Sequence, residues 1–167
     1  MEIRCTRRLQ FAYGHRVMGH ENRCRHLHGH NGVVYVTAVR SIDTRYPPGA
    51  MVALAAEPVD SLGRVVDFSV LKELLGGWID KYWDHAFIYY AHDTAVIAAL
   101  SAFTEAEHGA AGWLRRHALP CNPTAENMAR YLLEVVCPQV MDGTGVRVVE
   151  VTFHETENCF ATARERP

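Results

Sequence analysis

The feature that most restricts this chain is a strand-like alternation that runs straight into a cluster of histidines. Ile3, Cys5, Leu9, Phe11 and Tyr13 share one parity, while Arg4, Thr6, Arg8 and Gln10 share the other. Side chains on a strand point to opposite faces in turn, so this segment is a half-buried strand with Arg7 as a polar intruder on its apolar side. His15 continues the apolar parity, and its imidazole is expected on the covered face. Five of the ten histidines (His15, His20, His26, His28 and His30) fall within sixteen residues. His28 and His30, two positions apart, point the same way in an extended chain, and a second β-rich run, Val33 to Val39, follows them. If the two strands pair, His15 reaches the same ion. Three imidazoles with no obligatory fourth protein ligand is the composition of a catalytic zinc site with an open position.

The rest of the chain reads as one domain. Its 167 residues are enough to bury a single core, and 49% hydrophobic with 22% charged residues argues against disorder, collagen-like repeats and coiled coil. A net charge of -2 gives no global positive field, so nucleic acid is not an expected partner. Apolar runs fall far short of the roughly 18–20 residues that a bilayer span needs. MEIRCTRRLQ carries charge without an apolar core, and five cysteines at irregular spacing point to reduced thiols, so a cytoplasmic setting is expected. The stretch 41–62, with Pro47-Pro48-Gly49 and Pro58, reads as an irregular hairpin connection, and Gly63 to Val66 as a short returning strand. Asp67, with Ser69 as the competing choice, caps a helix whose stripe is Leu71, Leu74, Leu75, Trp78, Ile79 and Tyr82. Residues 86–121 have no sustained alternation, and 94–103 and 105–117 read as short helices. Asn122-Pro123-Thr124 starts another helix, with Met128, Tyr131, Leu132, Val135 and Val136 buried and Pro138 as its stop. Val146 to Glu155 is a strand, and Cys159 to Arg164 closes it as a hairpin. Grouped rather than alternating elements predict an α+β fold, an antiparallel β-sheet with two main helices packed on one face.

Several further residues carry chemistry. Cys24 lies four residues before His28 and has two readings: a fourth ligand closing a structural site, or a thiol acting as acid and base. Flanking Arg23 and Arg25 favour the thiolate or receive phosphate oxygens; solvated loop charge is the bland alternative. Asp84-His85 pairs a carboxylate with an imidazole, which works only in a turn. Glu155 follows Val149, Val151 and Phe153 on the buried parity, where a carboxylate must be paired, either with two N–H donors of a ligand edge or with an arginine.

These residues stand in a recognisable order: Phe11-Ala12-Tyr13-Gly14-His15-Arg16, Cys24-x3-His28-Gly29-His30-Asn31, Asp67-Phe68, Asp84-His85, Pro123-Thr124-Ala125-Glu126-Asn127 and His154-Glu155-Thr156. The set resembles the 6-pyruvoyl-tetrahydropterin synthase / 6-carboxytetrahydropterin synthase family. The resemblance implies the tunnelling fold, with subunits joined through strand edges into barrel-like trimers that stack as hexamers. It implies Zn²⁺ on His15, His28 and His30, proton transfer by Cys24, Asp84 and His85, and a pterin ring anchored by Glu155 with Thr124 and Glu126. Active sites in that family lie between subunits. The three-residue gap between Cys24 and His28 is similar to the carboxy-forming bacterial branch. The implied activity is therefore that of a zinc-dependent lyase converting 7,8-dihydroneopterin triphosphate to 6-carboxy-5,6,7,8-tetrahydropterin, a precursor of 7-deazaguanines such as queuosine. Formation of 6-pyruvoyl-tetrahydropterin is the enzymatic alternative, and a non-catalytic zinc protein with Cys24 as fourth ligand is the rival of another class. Segments 41–62 and 89–121 read as insertions within a single domain spanning 1–167.

Overall fold

Alternation at the start of the chain becomes the first strand of a six-stranded sheet in the computed structural model, which describes residues 2–40, 59–106 and 114–166. The strands are β1 (Cys5–His15), β2 (His28–Arg40), β3 (Ala86–Tyr90), β4 (Arg116–Leu119), β5 (Val146–His154) and β6 (Phe160–Arg164), in the order β4-β3-β1-β2-β5-β6. β1 and β2 pair antiparallel from Cys5 opposite Ala38 to His15 opposite His28. β2 pairs antiparallel with β5, and β5 with β6. A register shift between Thr37 and Ala38 marks a bulge in β2, the kind of irregularity that bends and twists a strand.

The helices pack on the face made by the odd positions of β1. Helix α1 covers residues 68–82 as Phe68–Leu71, a wider π turn Lys72–Gly76, and Gly77–Tyr82. Asp67 is its cap, accepting from the Ser69 N–H at 2.9 Å. Helix α2 is Thr94–Ala106, and α3 covers 125–140 as Ala125–Tyr131, a π turn Leu132–Val136, and Cys137–Val140. Leu71, Leu75 and Ile79 of α1 and Met128, Leu132 and Val136 of α3 are buried against Leu9, Phe11, Val34, Val36, Val151 and Phe153 of the sheet. Each large apolar side chain so buried contributes about 1.5–3 kcal/mol. Trp83, wholly buried at the end of α1, lies 5.8 Å from the Phe11 ring.

The expected antiparallel sheet accounts for β1, β2, β5 and β6, and two parallel strands extend it into a mixed sheet. β3 runs parallel to β1, and β4 parallel to β3. Residues 116 and 117, expected at the end of a helix, therefore open a strand instead. α2 confirms the helix expected at 94–103, and residues 107–113 lie outside the described ones. Gly63 to Val66, expected as a strand, is a turn. The Asp60 carboxylate accepts from the Leu62 and Arg64 N–H groups and from the Arg64 guanidinium, which closes the chain locally instead of offering it to a sheet. The connection at 41–58 lies outside the described residues. Pro138 does not stop α3: it falls in the first turn of the final segment, directly after the π turn, where a missing N–H is tolerated.

Candidate active site

The three histidines meet because of strand register. His15 ends β1 opposite His28, and His30 sits opposite Tyr13, so all three imidazoles leave the sheet on its helix-covered face. Ring centroids are 4.5 Å apart for His15 and His28, 5.2 Å for His15 and His30, and 5.0 Å for His28 and His30. One ring nitrogen from each lies within 4.8 Å of the others. Gly29 separates the two β2 histidines for a steric reason: a Cβ there would sit 2.7 Å from the Tyr13 carbonyl oxygen.

Backbone carbonyls orient two of the rings. His15 Nδ1 donates to the Pro123 carbonyl at 2.7 Å, and His28 Nδ1 donates to the His26 carbonyl at 2.8 Å. Each bond puts the proton of the neutral ring on Nδ1 and leaves the Nε2 lone pair free, the usual second layer around a metal-binding histidine. His15 Nε2 and His30 Nε2 are buried with no hydrogen-bond partner. Burial lowers His15 to about 4, against an opposing pull from the Pro123 carbonyl and with help from the other two rings. Burial and His28 lower His30 as well. Both rings are thus neutral at pH 7 and present lone pairs rather than charge. Partnerless, neutral, convergent nitrogens fit a divalent cation of borderline softness such as zinc.

Beside the imidazoles lies an open cavity of about 460 Å³, whose walls include His20, Cys24, Thr124, Glu126, Glu155 and Cys159. Cys24 sits in the short 3-10 turn Arg23–Arg25, closed by the Val17 N–H donating to the Cys24 carbonyl at 2.7 Å. Asn122 pins the same loop from the other side, accepting from the Met18 N–H and donating to the Met18 carbonyl, both at 2.9 Å. Thr124 caps α3 by accepting from the Asn127 N–H, and its neighbour Pro123 is the residue that holds His15. Pro123 therefore precedes the cap rather than opening the helix. Glu155, just past β5, has no arginine partner among the described residues; its Oε1 is 3.9 Å from His15 Nε2. Burial raises its carboxyl and Glu126 adds to this, with His28 opposing.

The group of ligand atoms within 4.8 Å holds imidazoles only, so Cys24 does not close the cluster as a fourth ligand. Asp84 and His85 form the turn that their chemistry requires. His85 Nδ1 donates to Asp84 Oδ2 at 2.7 Å, and His85 takes a left-handed φ of 55°. Burial acts to raise the Asp84 carboxyl, but the Ala12 N–H and the His85 ring outweigh it and leave the carboxyl lowered. This pair lies at the start of β3, across β1 from β2, and neither residue lines the cavity that holds Cys24. Three groups at the site escaped the sequence reading. The carbonyls of Pro123 and His26 carry no side-chain signature, and His20 gave no spacing that tied it to Cys24.

A family model described as 6-pyruvoyl tetrahydropterin synthase matches residues 4–166. The chain belongs to this family. Within the 6-pyruvoyl tetrahydropterin synthase family, the 6-carboxy-5,6,7,8-tetrahydropterin synthase of Rickettsia bellii is 34% identical over 158 residues, covering 95% of this chain and 97% of its own. The protein of the same name from Haemophilus influenzae is 27% identical over 166 residues, covering 98% of this chain and 99% of its own. Among solved structures, an uncharacterized protein from Wolinella succinogenes superposes with a TM-score of 0.73 at 24% identity, covering 98% of each chain, and shares the fold. No helix of the described residues is long and apolar enough to cross a membrane.

Proposed function

We propose that this chain is a 6-carboxy-5,6,7,8-tetrahydropterin synthase, a zinc-dependent lyase acting on 7,8-dihydroneopterin triphosphate. One observation carries the reading: three imidazoles whose ligand nitrogens lie within 4.8 Å of one another adjoin Glu155, a half-buried carboxylate that also lines the cavity holding the Cys24 thiol. His15, His28 and His30 would hold the ion. Bound there, zinc would supply a Lewis acid to oxygens of the substrate side chain, as it does to bound water.

Glu155 anchors the guanidine-like edge of the pterin, because an ionised carboxylate accepts two N–H donors side by side. Glu126, whose charge reaches Glu155, and Thr124 complete that wall. Cys24 Sγ takes a proton from the substrate side chain, and the Asp84–His85 pair returns one. Since that pair stands across β1 from the cavity within one protomer, it serves the site of a neighbouring protomer. The two edge strands of the sheet, β4 and β6, pair on one side only among the described residues and offer the surfaces for a trimer or a hexamer.

Incubation of the purified protein with 7,8-dihydroneopterin triphosphate tests this directly. A product with the mass of 6-carboxy-5,6,7,8-tetrahydropterin is expected; 6-pyruvoyl-tetrahydropterin in its place would move the chain to the other branch. Cys24→Ala is expected to keep its metal and lose turnover by about 10²–10⁴-fold, the usual contribution of a positioned acid–base group. Full turnover by that variant would remove the thiol from the mechanism.

A further inference from the structure

Tyr13 stands in the middle of the site, and the roles described above leave its hydroxyl idle. The side chain follows the parity of Phe11 and His15 onto the helix-covered face. Its ring lies 5.1 Å from that of His15 and 5.7 Å from that of His30, centroid to centroid. Tyr13 is 4% exposed, and its hydroxyl has no hydrogen-bond partner. Among the described residues, six buried side-chain nitrogen or oxygen atoms share that condition. Three of the six, Tyr13 Oη, His15 Nε2 and His30 Nε2, belong to these adjoining rings. An unpaired buried hydroxyl is destabilising, and phenylalanine would fill the same space without that cost.

The direction of the ring is set by a glycine. Gly32 lies opposite Phe11 in the β1–β2 register, two pairs from Tyr13 and on the same face, and a Cβ there would sit 3.0 Å from Tyr13 Cε1. Tyr13 therefore leans across β2 toward β5. In that strand Val33 pairs with His154, so the next position along, beside Gly32, is Glu155. The phenol is near enough to feel the Glu155 charge. The Tyr13 ring and the Glu155 carboxylate thus both adjoin His15, the ring at 5.1 Å centroid to centroid and Oε1 at 3.9 Å from its free Nε2.

We propose that the Tyr13 hydroxyl is a ligand-binding donor of this site, giving a hydrogen bond to an oxygen of the pterin that Glu155 anchors. The inference rests on the pterin reading above and extends it from a single carboxylate to a donor–acceptor pair. Glu155 alone accepts N–H groups and is indifferent to what lies beside them. A phenol beside it demands an acceptor oxygen in the ligand, and a ligand without one leaves the hydroxyl buried and unpaired. Two kinds of oxygen in a dihydroneopterin meet that demand: the ring carbonyl next to the guanidine-like edge, and the hydroxyls of the side chain.

Tyr13→Phe in the full chain removes the hydroxyl and keeps the ring. Wild type and variant, both loaded with zinc and checked for equal metal content, are titrated calorimetrically with 7,8-dihydroneopterin and with 7,8-dihydropterin, which lacks the side chain. The variant is expected to bind dihydroneopterin about tenfold more weakly. An equal loss with both compounds assigns the ring carbonyl; a loss with dihydroneopterin alone assigns the side-chain hydroxyl. Unaltered affinity for both overturns this inference while leaving the function reading in place. Failure of the wild type to bind either pterin overturns both together. The melting temperature of the metal-free, ligand-free variant is expected to equal or exceed that of the wild type. A lower one would mean that the hydroxyl is engaged within the fold, which also overturns the inference.

Discussion

Asp93 is almost wholly buried and meets Arg16, the residue after the histidine that ends β1, through two hydrogen bonds of 2.7 and 2.6 Å. It also accepts from the Val96 N–H at the start of α2. Arg16 holds its carboxyl below the usual range, with burial opposing and Val96 assisting. A carboxyl with a depressed folded pKa stabilises the fold above its unfolded value near ~3.9, and that stabilisation is lost as pH falls through the lower folded value. Asp93→Asn is therefore expected to cost about 1.5–3 kcal/mol at pH 7, the worth of a hydrogen bond to a charged group. Urea unfolding of metal-free wild type and variant checks this, and the gap between them should narrow below about pH 4. A gap that stays constant with pH would mean that the carboxylate charge plays no part.

Among the elements, those that bury one clean face were legible in the sequence and those that do not were not. β1 and β5 announce themselves by alternation, and α1 and α3 by stripes that the structure buries except at Tyr82 and Val135, which are exposed. His28 and His30 were readable as a pair because a strand has period two, and His15 because it extends the parity of Phe11 and Tyr13. β4 was not readable: Arg116–Leu119 is four residues long, too short for a period to show, and parallel pairing through α2 leaves no local mark. The carbonyls that orient His15 and His28 were invisible for a different reason, since any residue supplies one. Gly29 shows what the β1–β2 pairing demands. Gly29→Ala would put a methyl against backbone rather than against a flexible side chain, so the strands must part where His15 faces His28. The expected outcome is a folded protein that binds substoichiometric zinc, measured by elemental analysis after gel filtration. Full occupancy in that variant would show that the pairing tolerates the separation.

On the scale of the whole molecule, any ion held by the three imidazoles binds the folded chain more tightly than the unfolded one and so stabilises it. At a free concentration about 100-fold above its dissociation constant, the gain is about 2.7 kcal/mol. For a chain of this size that corresponds to roughly 5–11 °C in melting temperature. Dialysis against a chelator should lower the melting temperature by that order, and added zinc should restore it. An unchanged melting temperature across both steps would mean that the imidazoles hold no ion.

The bond from His15 to Pro123 spans 108 positions of sequence. All three grips lie at the loop end of one hairpin, so a newly made chain has every ligand long before residue 123 emerges. Yet the carbonyl that aims the first of them arrives only when most of the polypeptide has been built and folded back. Tight capture of a cation would therefore wait for completion of the domain, and loading would report that folding has finished rather than seed it.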